Sequence, residues 1–97
     1  MKTILVVDDN EPNRYLLSAQ FGGNGYAVEE ARNGEEALAI ARENPPDLIV
    51  SDLLMPVMDG YTLLRLWKAD ESLRGIPFVV CTATYTAPKD ELSLIHI

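Results

Sequence analysis

Four oxygen-bearing side chains stand where apolar stretches of the sequence end, and their types suit phosphoryl and metal chemistry. Asp8 and Asp9 follow "TILVV", Asp52 closes "DLIVSD", and Thr82 closes "IPFVVCT", with Ala83 next. If these stretches are neighbouring parallel strands, the carboxylates converge and repel one another. A divalent cation removes that repulsion, and oxygen ligands of this number and charge suit magnesium.

The same groups predict a reaction. A carboxylate beside bound magnesium can attack a phosphoryl group in line and form an aspartyl phosphate. The hydroxyl of Thr82 and the backbone amide of Ala83 would then donate to the phosphoryl oxygens. A single Asp at a strand end is usually a turn former or a helix cap. An Asp pair, an Asp and a Thr on three strands of one sheet are hard to obtain by chance, so we interpret them as one site.

The elements around these residues predict how they are positioned. Apolar strands alternate with helices, of which the first covers roughly residues 11–21, with Asn10 as its cap and Gly22 and Gly23 as its stop. The predicted inward-facing residues of the three helices are Leu17 and Phe21, then Ala37, Leu38 and Ala41, then Leu63, Leu64 and Trp67. Strands this apolar, joined by connections this short, predict an α/β fold with a doubly wound parallel sheet. The functional crevice of such sheets lies at the carboxyl ends of the strands.

Composition narrows the possible functions. The chain has 97 residues, enough for one domain, and its net charge of −7 disfavours nucleic acid as a direct partner. No apolar run reaches the roughly 20 residues that span a bilayer, and the first residues carry charge too early for a signal peptide. One cysteine, Cys81, excludes an internal disulfide. We therefore expect a cytoplasmic protein without membrane association.

Three motifs, "VVDDN", "DLIVSDLLMPVMDG" and "IPFVVCTA", closely resemble those of the receiver domain of two-component response regulators. The resemblance covers residues 3 to about 91. It implies a flavodoxin-like fold with strand order 2-1-3-4. It also implies a signalling domain, not an enzyme, that assists its own phosphorylation and dephosphorylation.

Carried over residue by residue, the resemblance implies the following roles. Asp52 is the phosphoacceptor and a metal ligand. Asp9 binds magnesium directly, Asp8 acts largely through water, and the backbone carbonyl of Leu54 completes the protein ligands. Thr82 is the switch hydroxyl, with the backbone amide of the next residue beside it.

The sequence departs from this family after the fourth strand. A fifth strand with its phosphoryl-binding lysine and a fifth helix are missing, and the chain stops early in a fourth helix, "APKDE". The last six residues, "LSLIHI", are the translation of CTG TCT CTT ATA CAC ATC, a transposon end used as an adapter in DNA library preparation. We therefore expect a partial receiver domain in residues 1–91 and a non-native tail in residues 92–97, with the edge of the fourth strand left open.

The resemblance implies that a histidine kinase or a phosphotransfer protein gives its phosphoryl group to Asp52, and that the modified domain changes partners. A downstream output domain or kinase domain would belong to the parent chain. One alternative is a truncated or degenerate receiver-like module that is not phosphorylated, which the missing lysine favours. The other is a phosphatase of the haloacid dehalogenase type, but that class needs a second acid where this chain has Leu54.

Overall fold

The computed structural model describes residues 2–52, 60–83 and 92–96, and of residues 52, 60, 81–83 and 92–96 the backbone alone. The strands are β1 (Thr3–Val7), β2 (Ala27–Ala31), β3 (Leu48–Asp52), β4 (Phe78–Ala83) and β5 (Leu92–His96). The helices are α1 (Glu11–Gly23), α2 (Gly34–Glu43) and α3 (Gly60–Ala69). The predicted fourth helix, "APKDE", lies outside the described residues.

The strands form one sheet in the order β2-β1-β3-β4-β5. The first four are parallel, and β1 lies between β2 and β3. Ile4, for example, pairs with Val28 on one side and with Leu48 on the other. The predicted strand order 2-1-3-4 is confirmed.

A fifth strand lies on the outer edge of β4. β5 is antiparallel to β4, with Val79 opposite His96 and Ala83 opposite Leu92. The expectation that this edge is open is therefore wrong. Backbone N–H and C=O groups on a sheet edge need partners, and this short apolar segment follows β4 closely enough in the chain to supply them. The adapter origin of residues 92–97 stays a prediction, which sequencing of the source DNA through these codons tests.

Successive apolar side chains of a strand point to opposite faces of the sheet, so both faces bury a core. Leu5 and Val7 face α2 and α3, while Ile4 and Val6 face α1. The α2/α3 side holds the larger cluster, which consists of Leu5, Val7, Ala31, Ala37, Leu38, Ala41, Ile49, Leu63, Trp67, Leu73, Phe78 and Val80. The α1 side holds Ile4, Val6, Leu17 and Val50, with Phe21 packed against them. The inward-facing residues predicted for all three helices are confirmed, and so is the doubly wound architecture.

The predicted start of α1 agrees with the structure, but its predicted end does not. Asn10 caps α1 by accepting from the amide of Asn13, and Asn33 caps α2 by accepting from the amide of Glu36. α1 runs through both glycines that the sequence predicts as its stop and ends at Gly23, and the amide of its C-cap, Asn24, donates to the carbonyl of Phe21. None of the described helices is long and apolar enough to cross a membrane.

Trp67 fastens α3 to the sheet. Its ring is fully buried and meets the ring of Phe78 edge to face, with centroids 5.9 Å apart. Its Nε1–H donates to the carbonyl of Ile76 at 3.3 Å. The aromatic contact adds to the area that both rings bury, and the hydrogen bond satisfies the one polar atom of the indole.

Asp70, just after α3, joins that helix end to α2. Its carboxylate accepts from the hydroxyl and the amide of Ser72 at 2.7 and 2.9 Å and from Nε of Arg42 at 3.3 Å. The Ser72 hydroxyl, the Ser72 amide and the Arg42 guanidinium together hold the pKa of Asp70 below its ordinary value of 3.8.

We expect Asp70→Asn to lower stability in a pH-dependent way. A depressed folded-state pKa contributes stability that is fully present above pH 3.8 and is lost as the pH falls through the folded-state pKa. The difference in urea midpoint between wild type and variant should therefore shrink below pH 3.8. Glu71→Gln, at the exposed neighbouring acid, corrects for the change in net charge. A difference that stays constant down to about pH 3 would contradict this account of Asp70.

Candidate functional site

Strand register brings the predicted site residues to the same edge of the sheet. Val7 pairs with Ser51, so the next residues along the two strands, Asp8 and Asp52, lie side by side at the carboxyl end. Asp52 pairs in turn with Cys81 on β4, and Thr82 follows Cys81. The backbone thus collects residues from β1, β3 and β4 at the carboxyl edge, where parallel sheets carry their sites.

Asp8 is held tightly at the end of β1. The residue is 4% exposed, its amide donates to the carbonyl of Ala31 at 3.1 Å, and its Oδ1 accepts from the amide of Asn10 at 2.9 Å. The first bond extends the pairing with β2 by one residue, and the second forms a tight turn that leads directly into α1. A carboxylate this buried needs donors or a cation, because desolvation of a charged group is costly.

Asp9, the next residue, is exposed to solvent, in contrast to the buried Asp8. It is exposed at the carboxyl edge, and the turn that Asp8 and Asn10 close passes through it. The pair therefore presents one buried and one solvent-facing acid. This arrangement suits a cation that keeps part of its water shell, as magnesium does.

The remaining predicted site residues are Asp52, Leu54, Thr82 and Ala83. The side chains of Asp52, Thr82 and Ala83 lie outside the described part, as does all of Leu54. Within residues 2–52, 60–83 and 92–96, no three His, Cys, Asp or Glu side chains form a metal-binding group. The oxygen donors of Asp8 and Asp9, together with the backbone position of Asp52, fit a magnesium site in chemistry and in placement.

Two residues that sequence reasoning missed, Arg14 and Glu30, lie directly beside this edge. Nη1 of Arg14 donates to the backbone carbonyl of Asp8 at 2.9 Å, and its Nε donates to Oε1 of Glu30 at 2.9 Å. The Arg14 side chain is 11% exposed and that of Glu30 44%. The only sequence signal is an arginine in the first turns of the helix that follows the acid pair.

An open parallel sheet with helices on both faces and an acid pair at its carboxyl edge defines the class of flavodoxin-like receiver domains. The model of the family described as "Response regulator receiver domain" matches residues 4–94. The chain therefore belongs to the response regulator receiver domain family and is a signalling domain of two-component systems.

Similar proteins agree with this assignment. Over 80 residues the chain is 48% identical to the response regulator PleD of Caulobacter vibrioides, a match that covers 82% of this chain and 18% of PleD. It is 40% identical to the polar-differentiation response regulator DivK of Brucella anthropi over 82 residues, 84% of this chain and 67% of DivK. A crystal structure of the N-terminal domain of a response regulator receiver protein from Methanoculleus marisnigri superposes with a TM-score of 0.83 at 36% identity, covering 93% of this chain and 73% of that one. The chain thus spans less than a fifth of PleD and about two thirds of DivK.

Proposed function

We propose that this receiver domain accepts a phosphoryl group on Asp52 in the cytoplasm and that the modification changes which partner it binds. The donor is a histidine kinase, a phosphotransfer protein or a small acyl phosphate. An oxygen of Asp52 forms a bond to phosphorus while the bond to the donor's nitrogen or oxygen breaks, and the electron pair leaves with the donor.

The observation that carries this proposal is the register at the carboxyl edge. Asp52 on β3 lies beside Asp8 at the end of β1, and Thr82 on β4 follows the residue that pairs with Asp52. A phosphoryl group on Asp52 would therefore lie between an acid pair on one side and a hydroxyl-bearing residue on the other. With magnesium bound, such an arrangement would place positive charge and a hydrogen-bond donor beside the phosphoryl oxygens.

Asp9, Asp8, Asp52 and the carbonyl of Leu54 would hold magnesium. The cation supplies charge that offsets the negative phosphoryl oxygens when it is bound. The chain's own part is to keep Asp8 buried and oriented through the Asn10 amide, and to leave Asp9 accessible to solvent. The Thr82 hydroxyl and the Ala83 amide would donate to the phosphoryl oxygens.

The proposed output is a shift between two arrangements of the same domain. The phosphoryl group needs only to favour the arrangement in which Thr82 contacts it. The surface around β4 would then change and select a different partner. We also propose that the domain assists its own phosphorylation and dephosphorylation, because all of these groups belong to one chain.

The test is phosphorylation by a small donor in the absence of any kinase. We expect incubation with acetyl phosphate and Mg²⁺ to add the mass of one phosphoryl group, measured by intact mass spectrometry. The product should be released by hydroxylamine, which cleaves acyl phosphates, and should not form when EDTA removes the cation.

Folded protein that gains no phosphoryl mass from acetyl phosphate or from any histidine kinase would contradict the proposal. That result would support the degenerate module instead. Steady release of phosphate from small phosphorylated molecules would point to the phosphatase class.

A further inference from the structure

We infer that Arg14 is a positioning residue for the magnesium-binding acid pair, an inference that rests on the proposed function. Its guanidinium would fix the backbone at Asp8, and thereby Asp9, in the geometry that binds the cation. Arg14 itself would touch neither the cation nor the phosphoryl group.

The contacts of Arg14 join three elements at one point. The residue lies in the first turns of α1, its Nη1 donates to the last backbone carbonyl before Asp9, and its Nε donates to Glu30 on β2. Both distances are 2.9 Å, the length of good charge-assisted hydrogen bonds. A planar guanidinium can hold two acceptors at once in a fixed relation, and an ammonium group cannot do this in the same way.

Burial of the Arg14 side chain strengthens its hydrogen bonds to Asp8 and Glu30. The side chain of Arg14 is 11% exposed, so water competes little for its donors. The carbonyl that it holds belongs to the residue whose Oδ1 already accepts from the Asn10 amide. Without Arg14, the turn from Asp8 to Asn10 would keep the bond at the Asp8 side chain and the bond from the Asp8 amide to Ala31, but it would lose the bond that holds the Asp8 carbonyl.

Positioning and plain electrostatics predict opposite results for the loss of Arg14. A positive charge near a cation site repels the cation, so removing that charge alone would tighten magnesium binding. Removing a group that orients the ligands weakens metal binding, by roughly 10-fold to 100-fold in characterised sites. The sign of the change therefore separates the two roles.

The experiment measures Mg²⁺ binding to the full chain by titration calorimetry for wild type, Arg14→Met and Arg14→Lys. We expect Arg14→Met to weaken binding about 10-fold despite the lost positive charge, and Arg14→Lys to weaken it less, at unchanged charge. The control is Arg42→Met, which removes a long-range arginine–carboxylate pair at the opposite end of α2 from the site. Thermal unfolding establishes that each variant is folded at the titration temperature.

A second readout follows the turn itself without any cation. In Mg²⁺-free protein the amide NMR signals of Asp8 and Asn10 report the bonds to Ala31 and to the Asp8 carboxylate. We expect both signals to move in Arg14→Lys and to stay in place in Arg42→Met. If Arg14→Met fails to fold, Arg14→Lys decides, because it keeps the charge and most of the side chain.

Unchanged or tighter Mg²⁺ binding in the folded Arg14 variants would overturn the inference and leave the proposed function standing. Unmoved amide signals in Arg14→Lys would overturn it as well. Wild-type protein that binds no Mg²⁺ would overturn the proposed magnesium site, and the role of Arg14 with it.

Discussion

Asp52→Asn is expected to reduce phosphoryl incorporation from acetyl phosphate to background. The amide is a far weaker nucleophile than the carboxylate, and an acyl phosphate cannot form on it. Mutation at this strand end also removes one negative charge beside Asp8 and Asp9, so repulsion at the edge falls. We expect the free energy of unfolding to stay within about 1 kcal/mol of wild type or to rise slightly.

A matched control for Asp52 lies at the other end of the same strand. Asp47 precedes β3 at the opposite edge of the sheet, where its Oδ2 accepts from the amide of Thr3 at 2.7 Å. Asp47→Asn makes the same chemical change far from the site and should keep full incorporation. Equal labelling of the Asp52 and Asp47 variants would show that another group accepts the phosphoryl group.

The second large effect is structural and concerns two leucines of α3. Leu63 is completely buried in the larger core cluster, whereas Leu66 is 37% exposed. We expect Leu63→Ala to cost about 3 kcal/mol, because it leaves a cavity among packed side chains, and Leu66→Ala to cost less than about 1 kcal/mol. A loss of that size is a large share of the roughly 5–15 kcal/mol that stabilises a typical domain.

Trp67 offers the readout for this pair. It is the only tryptophan of the chain, it is buried, and it lies one turn after Leu63. Urea unfolding followed by its fluorescence gives the free energy of unfolding for both variants. Similar losses for the two leucines would mean that α3 does not pack on the sheet as described.

Local patterns predicted much of this fold. The uninterrupted apolar strands identified a sheet covered on both faces, and the spacing of Leu63 and Trp67 identified the buried side of α3. Asn10 marked the start of α1 because its side chain satisfies an amide within three residues. Each of these signals acts over a few positions, so the sequence displays it directly.

The missed features depend on distances that the sequence does not display. The bond from Arg14 to Glu30 joins residues 16 positions apart, so it depends on how α1 packs against β2. The pairing of β5 with β4 depends on which edge of the sheet the segment reaches, and residue spacing does not specify that edge. α1 passes through Gly22 and Gly23 because the amide and side chain of Asn24 satisfy carbonyls of its last turn.

The central position of β1 has a consequence for synthesis on the ribosome. β1 is made before both strands that flank it, β2 and β3. Asp8 therefore leaves the ribosome well before Asp52, and the two acids meet only when β3 docks. By that stage β1 and β2 can already have paired, so apolar contacts are in place before the mutual repulsion of the acids must be overcome. The order of translation thus allows the apolar β1–β2 pair to form before the charged edge is assembled.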